Sequence, residues 1–137
     1  MPTSSEIEAF LSGAFTHFDT KIVAVGDRGA TIRREIKPHD IRPGGTVSGP
    51  TLMAMADTAL YVALFGEIGI VPMAVTTNMN INFLRRPSGS AAVLAVCKLL
   101  KVGKSLAVGE VSLYSEGDDA PVAHVVGTYS IPPVARS

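Results

Sequence analysis

Along this chain apolar residues recur with the period of a helix, then with the period of a strand, and between the two lies one stretch with hardly any period at all. That stretch is residues 44–66, GGTVSGPTLMAMADTALYVALFG. It opens with a glycine-rich turn, and Pro50 suits a helix start because its fixed φ matches the first turn. From Leu52 to Phe65 the run is almost unbroken in its apolar character, and Asp57 is its single ionisable residue. A helix that is apolar all round belongs in a core. A carboxylate in such a place is costly unless it is paired, hydrogen-bonded or neutralised.

The flanking segments supply what would wrap that helix. Thr3 and Glu6 have capping-box spacing ahead of Ile7, Phe10, Leu11 and Ala14, which predicts a short amphipathic helix. Residues 21–25 and 30–36 are β-prone runs joined by Gly-Asp-Arg-Gly, a hairpin signal. Residues 37–45 read as loop, and residues 68–72 as a short connector behind the long helix. Residues 73–84 alternate strictly: Val75, Thr77, Met79, Ile81 and Phe83 on one face, Ala74, Thr76, Asn78, Asn80 and Asn82 on the other. Breaker residues at 85–89 end that strand. Strands follow at 91–100, 105–115 and 122–131, and Pro132-Pro133 closes the pattern. An antiparallel sheet bent around one buried helix satisfies all these faces with a single core, an α+β architecture. The expected layout is a helix within 1–19, one sheet-and-helix core over 20–132, and a tail at 133–137.

Composition narrows the function. At 137 residues and 47% apolar the chain has the size and the core of one domain. Twelve basic and twelve acidic residues cancel, so the overall charge argues for neither nucleic acid nor a membrane surface as partner. Cys97 stands alone, which excludes an intrachain disulfide or a cysteine metal cluster and reads as a buried apolar residue. His17, His39 and His124 show no metal-ligand spacing. The first residues lack the regions of a secretory signal and no run is judged long enough to span a membrane, so a cytoplasmic protein is expected.

Residues 40–131 resemble the hotdog-fold thioesterases of the PaaI type, in which a curved antiparallel sheet wraps a long central helix. The resemblance rests on the spacing of Gly45, Gly49 and Asp57, on the strand TTNMNINFLRRP and on the hairpin KVGKSLAVGEVSLY. It implies hydrolysis of an acyl-CoA or similar thioester without metal or other cofactor, coenzyme A being part of the substrate. It implies dimers through edge-to-edge pairing of sheets, often assembled into tetramers. Asp57 and Gly49 match the family pattern residue by residue, and Thr76 stands where relatives place a small hydroxyl that orients the acid or water. The family's His-Gly-Gly is Ser48-Gly49-Pro50 here, and Arg42 stands about where relatives carry Asn or Gln; His39 is a loop histidine upstream of that point.

The physical reading of these residues agrees. Amides in the first turn of a helix lack intrahelical partners and carry the positive end of the helix dipole, so the Gly49 N–H suits a developing oxyanion. Ser48 is either an N-cap or a second donor to ligand. Asp57 would act as nucleophile or general base; as an alternative it is a structural acid bonded to Thr58, Thr76 or a backbone amide. Eight residues separate Gly49 from Asp57, about 12 Å along a helix, too far for both to touch one reacting carbon within a single subunit. Two antiparallel helices across a two-fold axis would bring each Asp57 toward the partner's Gly49. Arg85, Arg86, Lys101 and Lys104, in turns at strand ends, are the candidate phosphate contacts. Asn78 would line a channel or an interface. Two other functions stay open: an acyl-CoA-binding protein that does not hydrolyse, and an enoyl thioester hydratase, which would need an Asp and His pair in a different motif.

Overall fold

In the computed structural model, residues 1–15 and 20–133 are described; His17 and the end of the expected tail lie outside them. Helix α1 spans Ser4–Ala14, with strands β1 (Thr20–Gly26), β2 (Gly29–Arg34), β3 (Ile41–Arg42) and β4 (Thr46–Val47) after it. Helix α2 spans Gly49–Ile68, followed by β5 (Val75–Phe83), β6 (Val93–Val102), β7 (Leu106–Ser115) and β8 (Ala123–Ser130). Six strands form one antiparallel sheet in the order β1-β2-β6-β7-β8-β5, and β3 pairs with β4 in a separate ladder. The sheet wraps α2, which is the hotdog arrangement expected.

Local chemistry explains most of the boundaries. The Thr3 side chain accepts from the Glu6 amide while Glu6 reaches back to the Thr3 amide, closing the capping box of α1. Ile7 and Leu11 are the residues that helix buries, and Phe10 meets Phe65 of α2 edge to face at 5.7 Å. The β1–β2 hairpin turns through Asp27 and Arg28, both at positive φ, the two-residue geometry that matches strand twist.

Helix α2 starts at Gly49, one residue before Pro50, and buries Leu52, Met55, Ala56, Ala59, Leu60 and most of its last two turns. At 20 residues it is long and apolar enough to cross a membrane, which corrects the expectation that no run reaches that length. Its apolar face is taken up by the sheet instead, so it is a core helix. A pair of glycines lets it sink. Gly109 and Gly127 face each other across β7 and β8, and a Cβ on either would come within 2.6 Å of a Leu60 methyl. Leu60 lies one turn beyond Asp57, so this seat also sets how near Asp57 comes to the sheet.

The strict alternation expected for β5 fails at one point. Its pairing with β8 shifts register between Thr76 and Asn78, leaving Thr77 as the extra residue of a β-bulge. Thr76 lies opposite Tyr129, Met79 opposite Gly127 and Ile81 opposite Val125, so these residues share the helix-facing side. Asn78, Asn80 and Asn82 share the outer side with Thr128, Val126 and His124. Thr76 therefore does not share a face with Asn78, because the bulge turns it inward.

Candidate active site

The site is built around the middle of α2. Asp57 is half-buried on a cavity of about 560 Å³. The Thr76 hydroxyl donates to its Oδ1 at 2.5 Å. The Tyr129 hydroxyl stands 2.7 Å from the same oxygen and 3.1 Å from the Asp57 main-chain carbonyl. Oδ2 takes no protein hydrogen bond among the described residues and is not sealed from the cavity. Thr58, the other hydroxyl nearby, turns back to the Ala54 carbonyl at 2.9 Å.

Tyr129 is only 5% exposed. Burial is the main reason its phenol is pushed well above the usual tyrosine range; contact with Thr76 opposes the rise and the Asp57 carboxylate adds to it. It therefore remains a protonated donor at any physiological pH. Its ring stacks on Tyr61 at 5.8 Å, and Tyr61 is anchored by donating to the Pro72 carbonyl at 2.9 Å. Leu11 and Phe15 bring the N-terminal helix and the residue after it to the same cavity, and Met55 and Tyr61 line it from α2. Phe65 is wholly buried and Met53 faces outward at 39% exposure.

A second polar group in this wall escaped the sequence reading. Asp40 is 2% exposed and holds the Arg34 guanidinium at 3.1 Å. Burial alone would raise its carboxyl, but the Lys37 amide, Arg34 and Thr51 outweigh that and hold it below the usual carboxylate range. Asp40 also joins the two parts of the site. Its main-chain carbonyl accepts from the Ser48 amide at 2.7 Å, and its Oδ1 accepts from the Thr51 hydroxyl at 3.2 Å.

The start of α2 opens on a different cavity, about 300 Å³, lined by Gly49, Phe83, Arg42, Arg85 and Arg86 among others. The Gly49 N–H has no protein acceptor among the described residues. Ser48 is the N-cap: its hydroxyl accepts from the Thr51 amide at 3.3 Å and lies 2.9 Å from the Thr51 hydroxyl. The Phe83 ring packs so close to Gly49 that a Cβ there would sit 3.2 Å from it.

Of the residues singled out from sequence, Asp57 and Thr76 meet in the first cavity, and Gly49, Arg42, Arg85 and Arg86 meet at the second. Lys101 and Lys104 do not join Arg85 and Arg86 within one chain. The β6–β7 turn lies at the end of the sheet where β5 begins, whereas the arginines follow its other end. Asn78 is on the outer side of the sheet and lines neither cavity. His39 is exposed, 3.7 Å from Asp40, and His124 pairs with Glu110 at 2.9 Å on the outer side. Cys97 is buried, and burial pushes its thiol up to about 12. No group of His, Cys, Asp and Glu among the described residues could hold a metal ion.

The sequence model of the thioesterase superfamily matches residues 44–122, more than half of the chain and the whole of α2. The chain belongs to the thioesterase superfamily. Among solved structures, a putative thioesterase from Silicibacter sp. is 39% identical to this thioesterase, with a TM-score of 0.87 over 96% of this chain and 92% of that one. Zebra fish thioesterase superfamily member 2 shares the fold at 16% identity, with a TM-score of 0.85 over 96% of this chain and 100% of that one. A mutant of the phenylacetic acid degradation protein PaaI from Thermus thermophilus shares it at 22% identity, with a TM-score of 0.73 over 90% and 99%. No curated protein matches the chain.

Proposed function

We propose that this superfamily member hydrolyses acyl-CoA thioesters as a homodimer whose two active sites each draw on both chains. The observation that carries the reading is the Asp57 carboxylate: one oxygen is held by two hydroxyls and the other is open to an apolar-walled cavity large enough for an acyl group. Oδ2 either attacks the thioester carbonyl carbon or takes a proton from a water that does so. In both routes the carbonyl oxygen becomes an oxyanion and the C–S bond breaks to release the coenzyme A thiolate; the acid leaves directly in the water route, and after water cleaves the Asp57 mixed anhydride in the other. The Gly49 N–H at the start of a helix is the donor for that oxyanion.

The bare edge of β5 supports the sharing of sites. This strand ends the sheet, has nine residues without proline or charge, and leaves Val75 and Phe83 more than half exposed. Soluble proteins normally protect such an edge with charge, proline or a cover. Asp57 lies beside Thr76 near the start of β5, and Gly49 lies beside Phe83 at its end. Antiparallel pairing of two β5 strands about a two-fold at Asn80, passing over the Thr77 bulge as the pairing with β8 does, sets Thr76 of one chain opposite the partner's Phe83, and so brings each Asp57 to the partner's Gly49. The same operation carries the partner's Lys101 and Lys104 to the end of the joint sheet that holds Arg85 and Arg86. Together with Arg42 they are the cations available to the phosphates of coenzyme A.

The test is a thiol-release assay with short, long and aromatic acyl-CoAs on wild type and Asp57→Asn. Release by wild type and its loss in the variant are expected. Binding of coenzyme A with no release from any substrate would overturn hydrolysis in favour of an acyl-CoA-binding protein.

A further inference from the structure

We infer that Tyr129 is a positioning residue for this reaction: with Thr76 it saturates Oδ1 of Asp57 and so assigns the chemistry to Oδ2. The inference rests on the reading of Asp57 as the reacting acid, and it goes further in naming which oxygen reacts and what selects it.

Two hydroxyls from neighbouring strands converge on one carboxylate oxygen, Thr76 from β5 and Tyr129 from β8. They are direct cross-strand partners only because the bulge at Thr77 turns Thr76 inward. Tyr129 has little freedom to leave: it is buried, stacked on Tyr61, and seated between the carboxylate and the Asp57 main-chain carbonyl. An oxygen that accepts two hydrogen bonds is a poor nucleophile and a poor base, whereas its geminal twin keeps its lone pairs. Here the twin is the oxygen open to the cavity. Holding one oxygen also fixes the rotamer of the carboxylate, which a half-buried acid on an apolar wall would otherwise sample freely.

The arrangement has a consequence in kinetics. A hydroxyl that only orients the reacting oxygen contributes to the chemical step and not to holding the substrate, so removing it should lower kcat with little change in KM.

The experiment compares kcat and KM for wild type, Tyr129→Phe, Thr76→Val, Thr76→Ser and Asp57→Asn. Tyr129→Phe and Thr76→Val are each expected to lower kcat by about tenfold with little change in KM. Thr76→Ser keeps a hydroxyl and should return kcat close to the wild-type value. A Tyr129→Phe protein with wild-type kcat, alongside an inactive Asp57→Asn, overturns the inference and leaves the Asp57 reading standing. An active Asp57→Asn overturns that reading and the inference with it. Should Tyr129→Phe not fold, the Thr76 pair carries the test, and wild-type kcat in Thr76→Val overturns the inference.

Discussion

The two polar regions of α2 are finished to different degrees. At Asp57 everything is supplied by one chain: two hydroxyl donors, a buried tyrosine stack and a cavity wall. At Gly49 the N–H is unclaimed among the described residues, Phe83 beside it is 55% exposed, and the cavity is smaller and bordered by arginines. The first region is preorganised by folding alone. The second has the character of a surface completed by something else, and the exposed edge of β5 running between the two regions suggests a second copy. Asp40 ties the regions mechanically, through Thr51 and the Ser48 amide.

The sharpest way to break this comparison is at Asp57. Replacing it by Asn should reduce turnover by about a thousandfold while leaving the dimer and its melting temperature near wild type; an unfolded or monomeric variant would make Asp57 structural. Lysines at Asn78 and Asn80 put like charges near the centre of the β5 edge. The expected outcome, read by light scattering and by thiol release, is a folded monomer with turnover reduced by roughly a hundredfold or more, because each chain loses its oxyanion donor. Alanine at Arg42, Arg85 and Arg86 tests the open region from the ligand side. KM should rise by about tenfold and grow more salt-sensitive with kcat little changed, as expected for cations that bind substrate and transition state alike. The smallest effect concerns the tie. The folded carboxyl of Asp40 lies below its ordinary value of 3.8, so its contribution is fully present above that value and is lost as pH falls through the depressed one. A plot of melting temperature against pH for Asp40→Asn should lack that acid-side fall.

Much of the fold was legible because it depends on period and punctuation. The capping box at Thr3 and Glu6, the hairpin through Asp27 and Arg28, and the aperiodic run around Asp57 are local signals, and the structure keeps each of them. What the sequence could not reveal depends on pairing at a distance. Counting by twos along β5 puts Thr76 beside Asn78, since a bulge is fixed by register with β8 and leaves no mark in β5 itself. Tyr129 reads as one more strand residue because its partner, Asp57, is 72 positions away. Arg34 falls in a β-prone run and Asp40 in the loop after it, with nothing local to mark the two as a buried pair in the cavity wall. Lys101 and Lys104 resemble Arg85 and Arg86 in their local setting, and only the sheet order shows that one chain keeps them apart.

The central claim, that each site takes Asp57 from one chain and Gly49 from the other, is tested most directly by mixing two inactive proteins. One carries Asp57→Asn. The other carries Gly49→Met, whose side chain fills the second cavity and displaces the exposed Phe83 ring. After exchange of subunits, half of the dimers are mixed, and each mixed dimer contains one site with both defects and one with neither. Thiol release should recover to roughly a quarter of wild type. Mixed dimers formed in full with no activity above that of the two parents would contradict the account.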